Sequence, residues 1–147
     1  REKEKDPSIG QEEAERRANT YSARPGESEH QLGTVFDIAY AEFHTFNLPN
    51  GSPFGKSCAG KWLRENAHRF GFTMSYPYGK ESLTCFVPEP WHWRYVGKTL
   101  ATYLRENDLT LEEYFRRITG VEPASTDCPV TNSELAYEVA PCTTQGP

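Results

Sequence analysis

The sequence contains no two cysteines spaced as C-x-x-C. That excludes the paired-thiolate knuckles in which structural zinc is often held. It has no unbroken apolar run of roughly 18 residues, the length a membrane-spanning helix needs. It also lacks an excess of basic residues: 16 Lys and Arg stand against 21 Asp and Glu, a net charge of −5. Nucleic-acid binding requires a basic face, so no nucleic-acid partner is expected. No secretory signal is present, and the chain opens on Arg1 rather than Met. It reads as a mature, trimmed or excised segment. No internal repeat is visible.

What remains suits one compact domain. A chain of 147 residues leaves little room for two. Charged residues make up 25% and apolar residues 36%, a polar balance for a globular protein. Three Trp, eight Tyr and eight Phe nevertheless supply a core that a disordered chain would lack. The four cysteines, Cys58, Cys85, Cys128 and Cys142, are an even count. An even count points to disulfides and an oxidising compartment. Of the three possible pairings, Cys58 with Cys85 and Cys128 with Cys142 is the expected one. Four reduced, half-buried thiols are the alternative.

Helices and short strands alternate without a regular βαβ rhythm, which places the chain in the α+β class. Residues 1–6 (REKEKD) read as a solvated terminus. Residues 11–21 have helix-forming composition, with glutamates early and arginines late to suit the helix dipole. Pro25-Gly26 breaks the pattern, and TVFDIA at 34–39 reads as a strand. Residues 47–57 read as a surface loop. AGKWLRENAHRF at 59–70 places Trp62, Leu63, Ala67 and Phe70 on one helical face, and Gly71 stops the helix. Residues 72–76 and 83–87 are short apolar pieces separated by the turn-like PYGKE, 91–96 reads as a strand, and helices are expected at 98–106 and 111–118. Thr110 and Glu113 have the spacing of a capping box. Beyond Gly120 the chain reads as an irregular tail pinned by a disulfide. The expected units are therefore 1–21, a charged segment and helix; 22–119, the functional domain; and 120–147, the tail.

Two short segments concentrate the groups that bind metals or move protons. SEHQLGTVFD at 28–37 holds His30 and Asp37, and EPWHWRYVG at 89–97 holds Glu89 and His92. An open catalytic zinc site takes three ligands from His, Asp, Glu or Cys. His30, Asp37 and His92 form such a set. On a continuous strand an offset of seven would send His30 and Asp37 to opposite faces. A bend at residues 31–33, with Gly33 as its pivot, removes that objection. His92 then arrives from a neighbouring strand. Glu89 is the candidate base: it takes a proton from the attacking water and hands it to the leaving amine. Zinc would acidify that water and polarise the scissile carbonyl, so the set suits amide hydrolysis. His44 and His68 have no carboxylate at a telling offset and read as surface or satisfied core residues. Trp91 and Trp93 on their own are equally plain core residues.

SARPGESEHQLGTVFDIA, GKWLRENAHRFGF, YPYGKE, EPWHWRYVG and LTLEEY occur in that order. Together they resemble the VanY-type zinc D-alanyl-D-alanine carboxypeptidases, including the L,D-carboxypeptidase-like members, over roughly residues 22–114. The resemblance implies the fold shared by hedgehog domains and D-Ala-D-Ala peptidases, a small antiparallel sheet flanked by helices. It implies Zn²⁺ as cofactor, peptidoglycan stem peptides ending in D-Ala as substrate, and an extracytoplasmic location. It carries the metal ligands onto His30, Asp37 and His92, and the base onto Glu89. It carries substrate contacts onto Ser28, Trp91 and Tyr76. Arg24 is expected to be a scaffold residue near the cleft mouth, with a substrate contact as alternative, and Arg94 to be structural. The resemblance also implies an upstream arginine segment that clamps the substrate carboxylate, which this sequence does not contain; either it has been cut away or lies in another chain that supplies the arginine, or this version lacks the clamp. The alternatives are a D,D-dipeptidase or L-alanyl-D-glutamate endopeptidase on the same site, and a non-catalytic, zinc-containing wall-binding module.

Overall fold

Successive side chains of a strand point to opposite faces, and the string HWRY turns that rule into the organising feature of the molecule. The computed structural model describes residues 2–39 and 53–121, with 128, 130 and 142. Among them, strands β1 (Val35–Asp37), β2 (Phe72–Met74) and β3 (His92–Tyr95) form an antiparallel sheet in the order β1-β3-β2. Val35, Phe36 and Asp37 oppose Arg94, Trp93 and His92. Phe72, Thr73 and Met74 oppose Tyr95, Arg94 and Trp93. Opposed residues share a face. His92, Arg94, Asp37, Val35 and Thr73 therefore line one face, and Trp93, Tyr95, Phe36, Phe72 and Met74 the other.

The second face carries the core around Trp93, while Phe36 and Tyr95 on the same face stay half exposed. Trp93, Met74 and Ala67 are buried against one another, with Ile38, Leu63 and Phe72 packed around them. The Trp93 indole N–H donates to the Pro90 carbonyl at 3.0 Å, so the buried ring leaves no orphan donor. Seven helices flank the sheet among the described residues: α1 (Glu2–Lys5), α2 (Gln11–Ala18), α3 (Pro53–Lys56), α4 (Cys58–Asn66), α5 (Glu81–Thr84), α6 (Lys98–Glu106) and α7 (Leu111–Thr119). Leu104, Leu109 and Leu111 tie α6 to α7. The capping box is present: Thr110 Oγ1 accepts from the Glu113 N–H at 3.1 Å, and the Glu113 carboxylate accepts from the Thr110 N–H at 2.8 Å. Gly71, at φ +93, lies so close to Tyr95 that a Cβ would meet its ring at 2.7 Å.

Several expectations are corrected. Residues 2–5 are mostly exposed, as expected, but also form a helical turn, and the Tyr21 hydroxyl donates to Glu2 at 2.7 Å. The expected helix over 59–70 is α4 followed by a 3₁₀ turn, Ala67–Phe70. Its tighter winding changes the phase of the side chains. Trp62 and Phe70 are accordingly half exposed and tilt against each other, while Ala67 and Leu63 enter the core. Part of the expected 47–57 loop is helical, and Phe54 there is buried; residues 47–52 and His44 lie outside the described residues. The apolar piece at 83–87 forms no strand. Cys85, at φ +58, ends the α5 turn in a left-handed conformation that an extended strand cannot accommodate. The cysteines pair as Cys58–Cys142 and Cys85–Cys128, not in the expected pattern. Nearness along the tail does not decide the pairing. The Cα separations of 5.5 and 5.2 Å show which elements meet, and both bonds tie the tail to the body.

Candidate metal centre

One turn and two strands bring the polar groups together. Ser28 caps a 3₁₀ turn over Glu29–Leu32, its hydroxyl accepting from the His30 N–H at 3.4 Å. Gly33 closes that turn in the left-handed region, at φ +68, and β1 follows. The turn cancels the alternation that would have separated His30 from Asp37. His30 Nε2 lies 3.4 Å from Asp37 Oδ1, and His92 Nδ1 lies 3.6 Å from the same oxygen. The two imidazoles meet edge to face at 4.9 Å. One donor atom from each of His30, Asp37 and His92 lies within 4.8 Å of the other two.

Glu89 sits at the mouth of β3. Its N–H donates to the Tyr76 carbonyl at 2.9 Å, and its own carbonyl accepts from the His92 N–H at 2.9 Å. Pro90 between them is fully buried and stiffens the turn. The Glu89 carboxylate is thereby held 3.3 Å from His92 Nδ1, on the side of the ring that faces Asp37.

A third acid enters the site beside Asp37 and Glu89, one the sequence reading did not single out. Glu29 Oε2 lies 3.0 Å from His92 Nε2 and accepts from the Ser75 hydroxyl at 2.6 Å. Its Oε1 accepts from the Arg94 guanidinium. Arg94, expected to be structural, is engaged by Glu29. The signal for Glu29 is its place directly before His30 in S-E-H.

Charge follows from these contacts. Burial alone would push the Glu29 carboxyl up, but hydrogen bonds from His92, Ser75 and Arg94 outweigh it and hold the pKa at about 2. Burial likewise opposes protonation of His92; with no cation bound, Glu29 and Glu89 overcome it and raise the imidazole to about 9. A cation at Nδ1 would replace that proton. Burial, with the charges of Glu29 and Glu89 added, pushes the Tyr76 phenol well above its ordinary range, so it stays a hydroxyl.

These groups open into a cleft of about 380 Å³ that Ser28, Tyr76 and Trp91 also line. Tyr76 stacks on Phe86 at 4.4 Å and leans over His92 at 4.9 Å. Arg24 lies outside that lining, 4.0 Å from Glu15, which suits its scaffold reading. His68 stands away from the site, in the 3₁₀ turn after α4. A larger hollow, about 810 Å³, runs beside β2, α4 and α6. It contains none of the grouped donors, so size alone does not mark the chemistry.

The donor set fits zinc. Two ligand atoms each about 2.1 Å from one tetrahedral ion stand roughly 3.4 Å apart. The separations of 3.4 and 3.6 Å match that spacing, and imidazole nitrogen with carboxylate oxygen is the ligand chemistry of open zinc centres. Fold and site together define an α+β domain with a donor group suited to zinc. The chain belongs to the VanY family: the model described as D-alanyl-D-alanine carboxypeptidase matches residues 4–98. It is 42% identical, over 102 residues, to a D-alanyl-D-alanine carboxypeptidase of Enterococcus faecalis (strain ATCC 700802 / V583), covering 69% of this chain and 35% of that protein. Among solved structures it resembles the LdcB LD-carboxypeptidase, with 46% identity and a TM-score of 0.62, over 70% of this chain and 47% of that one. It also resembles a variant of the vancomycin-resistance D,D-pentapeptidase VanY in complex with Zn(II), with 38% identity and a TM-score of 0.62, over 77% of this chain and 58% of that one. The chain spans little more than a third of the length of its curated relatives, 37% and 35% for two of them.

Proposed function

We propose that the chain carries the catalytic part of a zinc carboxypeptidase that removes the terminal D-alanine from peptidoglycan stem peptides. The observation that supports this most is the convergence of His30, Asp37 and His92 beside Glu89 in one cleft. His30 Nε2, Asp37 Oδ1 and His92 Nδ1 are the atoms that would hold the ion. Zinc, when bound, supplies the Lewis acidity that acidifies water and polarises a peptide carbonyl. Glu89 takes the proton of the attacking water as its oxygen bonds to the carbonyl carbon. It returns that proton to the nitrogen of D-alanine as the C–N bond breaks. Ser28, Tyr76 and Trp91 line the cleft where the peptide lies, and the Tyr76 hydroxyl is a donor there because burial keeps it protonated.

No Lys or Arg lines the cleft among the described residues, and Arg94 is already engaged by Glu29. The substrate's free carboxylate needs a cationic partner for a strong, directional contact. A further chain segment is the proposed source of that clamp. Residues 22–119 are the proposed catalytic unit. An extracytoplasmic site of action is proposed from the two disulfides together with the substrate class. The similar structures include an LD-carboxypeptidase and a D,D-pentapeptidase, so stems ending in an L,D bond and in a D,D bond are the two substrates to compare.

The test compares the parent with E89A. D-alanine release from both stems is followed, and bound zinc is measured on the same samples. Zinc retained with release lost by about 10²- to 10⁴-fold is expected of a missing general acid–base. Undiminished release by E89A would remove Glu89 from the mechanism. A parent that holds zinc and peptide yet cleaves neither stem would leave a wall-binding module.

A further inference from the structure

We propose that Glu29 is the positioning residue of the metal centre: it accepts the Nε2 proton of His92 and so presents Nδ1 as the ligand atom. The inference rests on the reading of His30, Asp37 and His92 as a zinc site. A neutral imidazole has one N–H and one lone pair, so a ligand histidine must keep its proton on the nitrogen that faces away from the ion. In this site the two nitrogens of His92 have different neighbours. Nδ1 faces Asp37 at 3.6 Å and Glu89 at 3.3 Å, the side shared with His30. Nε2 faces Glu29 at 3.0 Å. Glu29 is the acceptor on the far side, so its bond to Nε2–H selects the tautomer with the Nδ1 lone pair toward the donors.

An orienting group must itself be held, and Glu29 is. Ser75 donates to the same oxygen that meets His92, at 2.6 Å, and Arg94 donates to the other. Both partners come from the sheet face that carries His92. Arg94 is two positions along β3, and the Ser75 N–H donates to the His92 carbonyl at 3.4 Å. Both carboxylate oxygens of Glu29 are thus engaged, which holds the group against the ring. Glu29 also adjoins His30 in the same 3₁₀ turn. One short turn therefore supplies one ligand and orients another. Outer carboxylates of this kind typically contribute 10- to 100-fold to metal affinity.

The experiment begins with the unaltered protein, loaded with zinc and labelled with ¹⁵N in its histidines. Long-range ¹H–¹⁵N correlation should place the His92 proton on Nε2, with Nδ1 shifted by the metal. Zinc affinity is then measured by competition with a chromophoric chelator for the parent, E29A and E29Q, each checked for folding by circular dichroism. E29A should bind zinc about 10- to 100-fold more weakly. E29Q should fall between, because its amide oxygen still accepts from Nε2–H while its charge is gone. A His92 proton found on Nδ1 in the loaded parent overturns the proposal with no variant needed. So does an affinity within twofold of the parent for folded E29A and E29Q. A parent that takes up no zinc would remove the metal centre itself, a result distinct from either.

Discussion

The two faces of β3 are four residues long and obey opposite rules. On one, Trp93 and Tyr95 continue a surface of Phe36, Phe72 and Met74, and burial of carbon is what matters. On the other, His92 and Arg94 stand among Asp37, Glu29 and Ser75, joined by ion pairs and hydrogen bonds. A substitution on the apolar face should alter how firmly the sheet is held. A substitution on the polar face should alter what the sheet holds. The backbone is shared, so each face restrains the other: ordering Trp93 in the core fixes the direction in which His92 and Arg94 project.

That contrast is open to attack in order of expected effect. W93A removes a buried indole and should cost about 3–5 kcal/mol of stability by chemical denaturation. The protein that remains folded should still take up zinc, whereas E89A should lose turnover at near-parental stability. Equal loss of zinc and stability in W93A would show the two faces to be one cooperative unit. The paired change C85S with C128S comes next. It releases the tail from the segment that precedes Glu89 and removes a bond spanning 43 residues. A stability loss of roughly 2–4 kcal/mol is expected from loop entropy. Non-reducing peptide mapping should join Cys85 to Cys128; a Cys58–Cys85 peptide would contradict the fold at that point.

The smallest effect concerns Glu112, in the first turn of α7. One carboxylate oxygen of Glu112 is buried with no hydrogen-bond partner among the described residues. Burial, reinforced by the charge of Glu29 and only partly offset by its own backbone N–H, by Thr110 and by Arg94, raises its carboxyl above the ordinary 4.5. A carboxyl raised in the folded state favours the fold while protonated. That contribution is complete below the ordinary carboxyl range and is lost as pH rises through the raised value. E112Q is neutral throughout. Its melting temperature should gain on the parent at pH 8 relative to pH 4, and an identical difference at both would refute the assignment.

Much of the site was legible because its signals are local. S-E-H-x-x-G and E-P-W-H are short, and each places its groups through a turn whose residues are themselves in the motif: Ser28 as cap, Gly33 as pivot, Pro90 as stiffener. The helices over 98–106 and 111–119 were legible for the same reason, the second down to its capping box. Glu29 was not. Beside His30 it looks like one more loop carboxylate, and its role exists only across 63 residues, at the ring of His92.

Composition, spacing and turn chemistry alone determined the α+β class, the three candidate ligands and the candidate base, because each depends on neighbours within a few positions. Tertiary structure alone decided the cysteine partners, the helical turn at Glu81–Thr84, and the acid that grips His92 from behind. Those outcomes depend on which distant segments come within a few ångströms of each other, and chain separation carries no such distance.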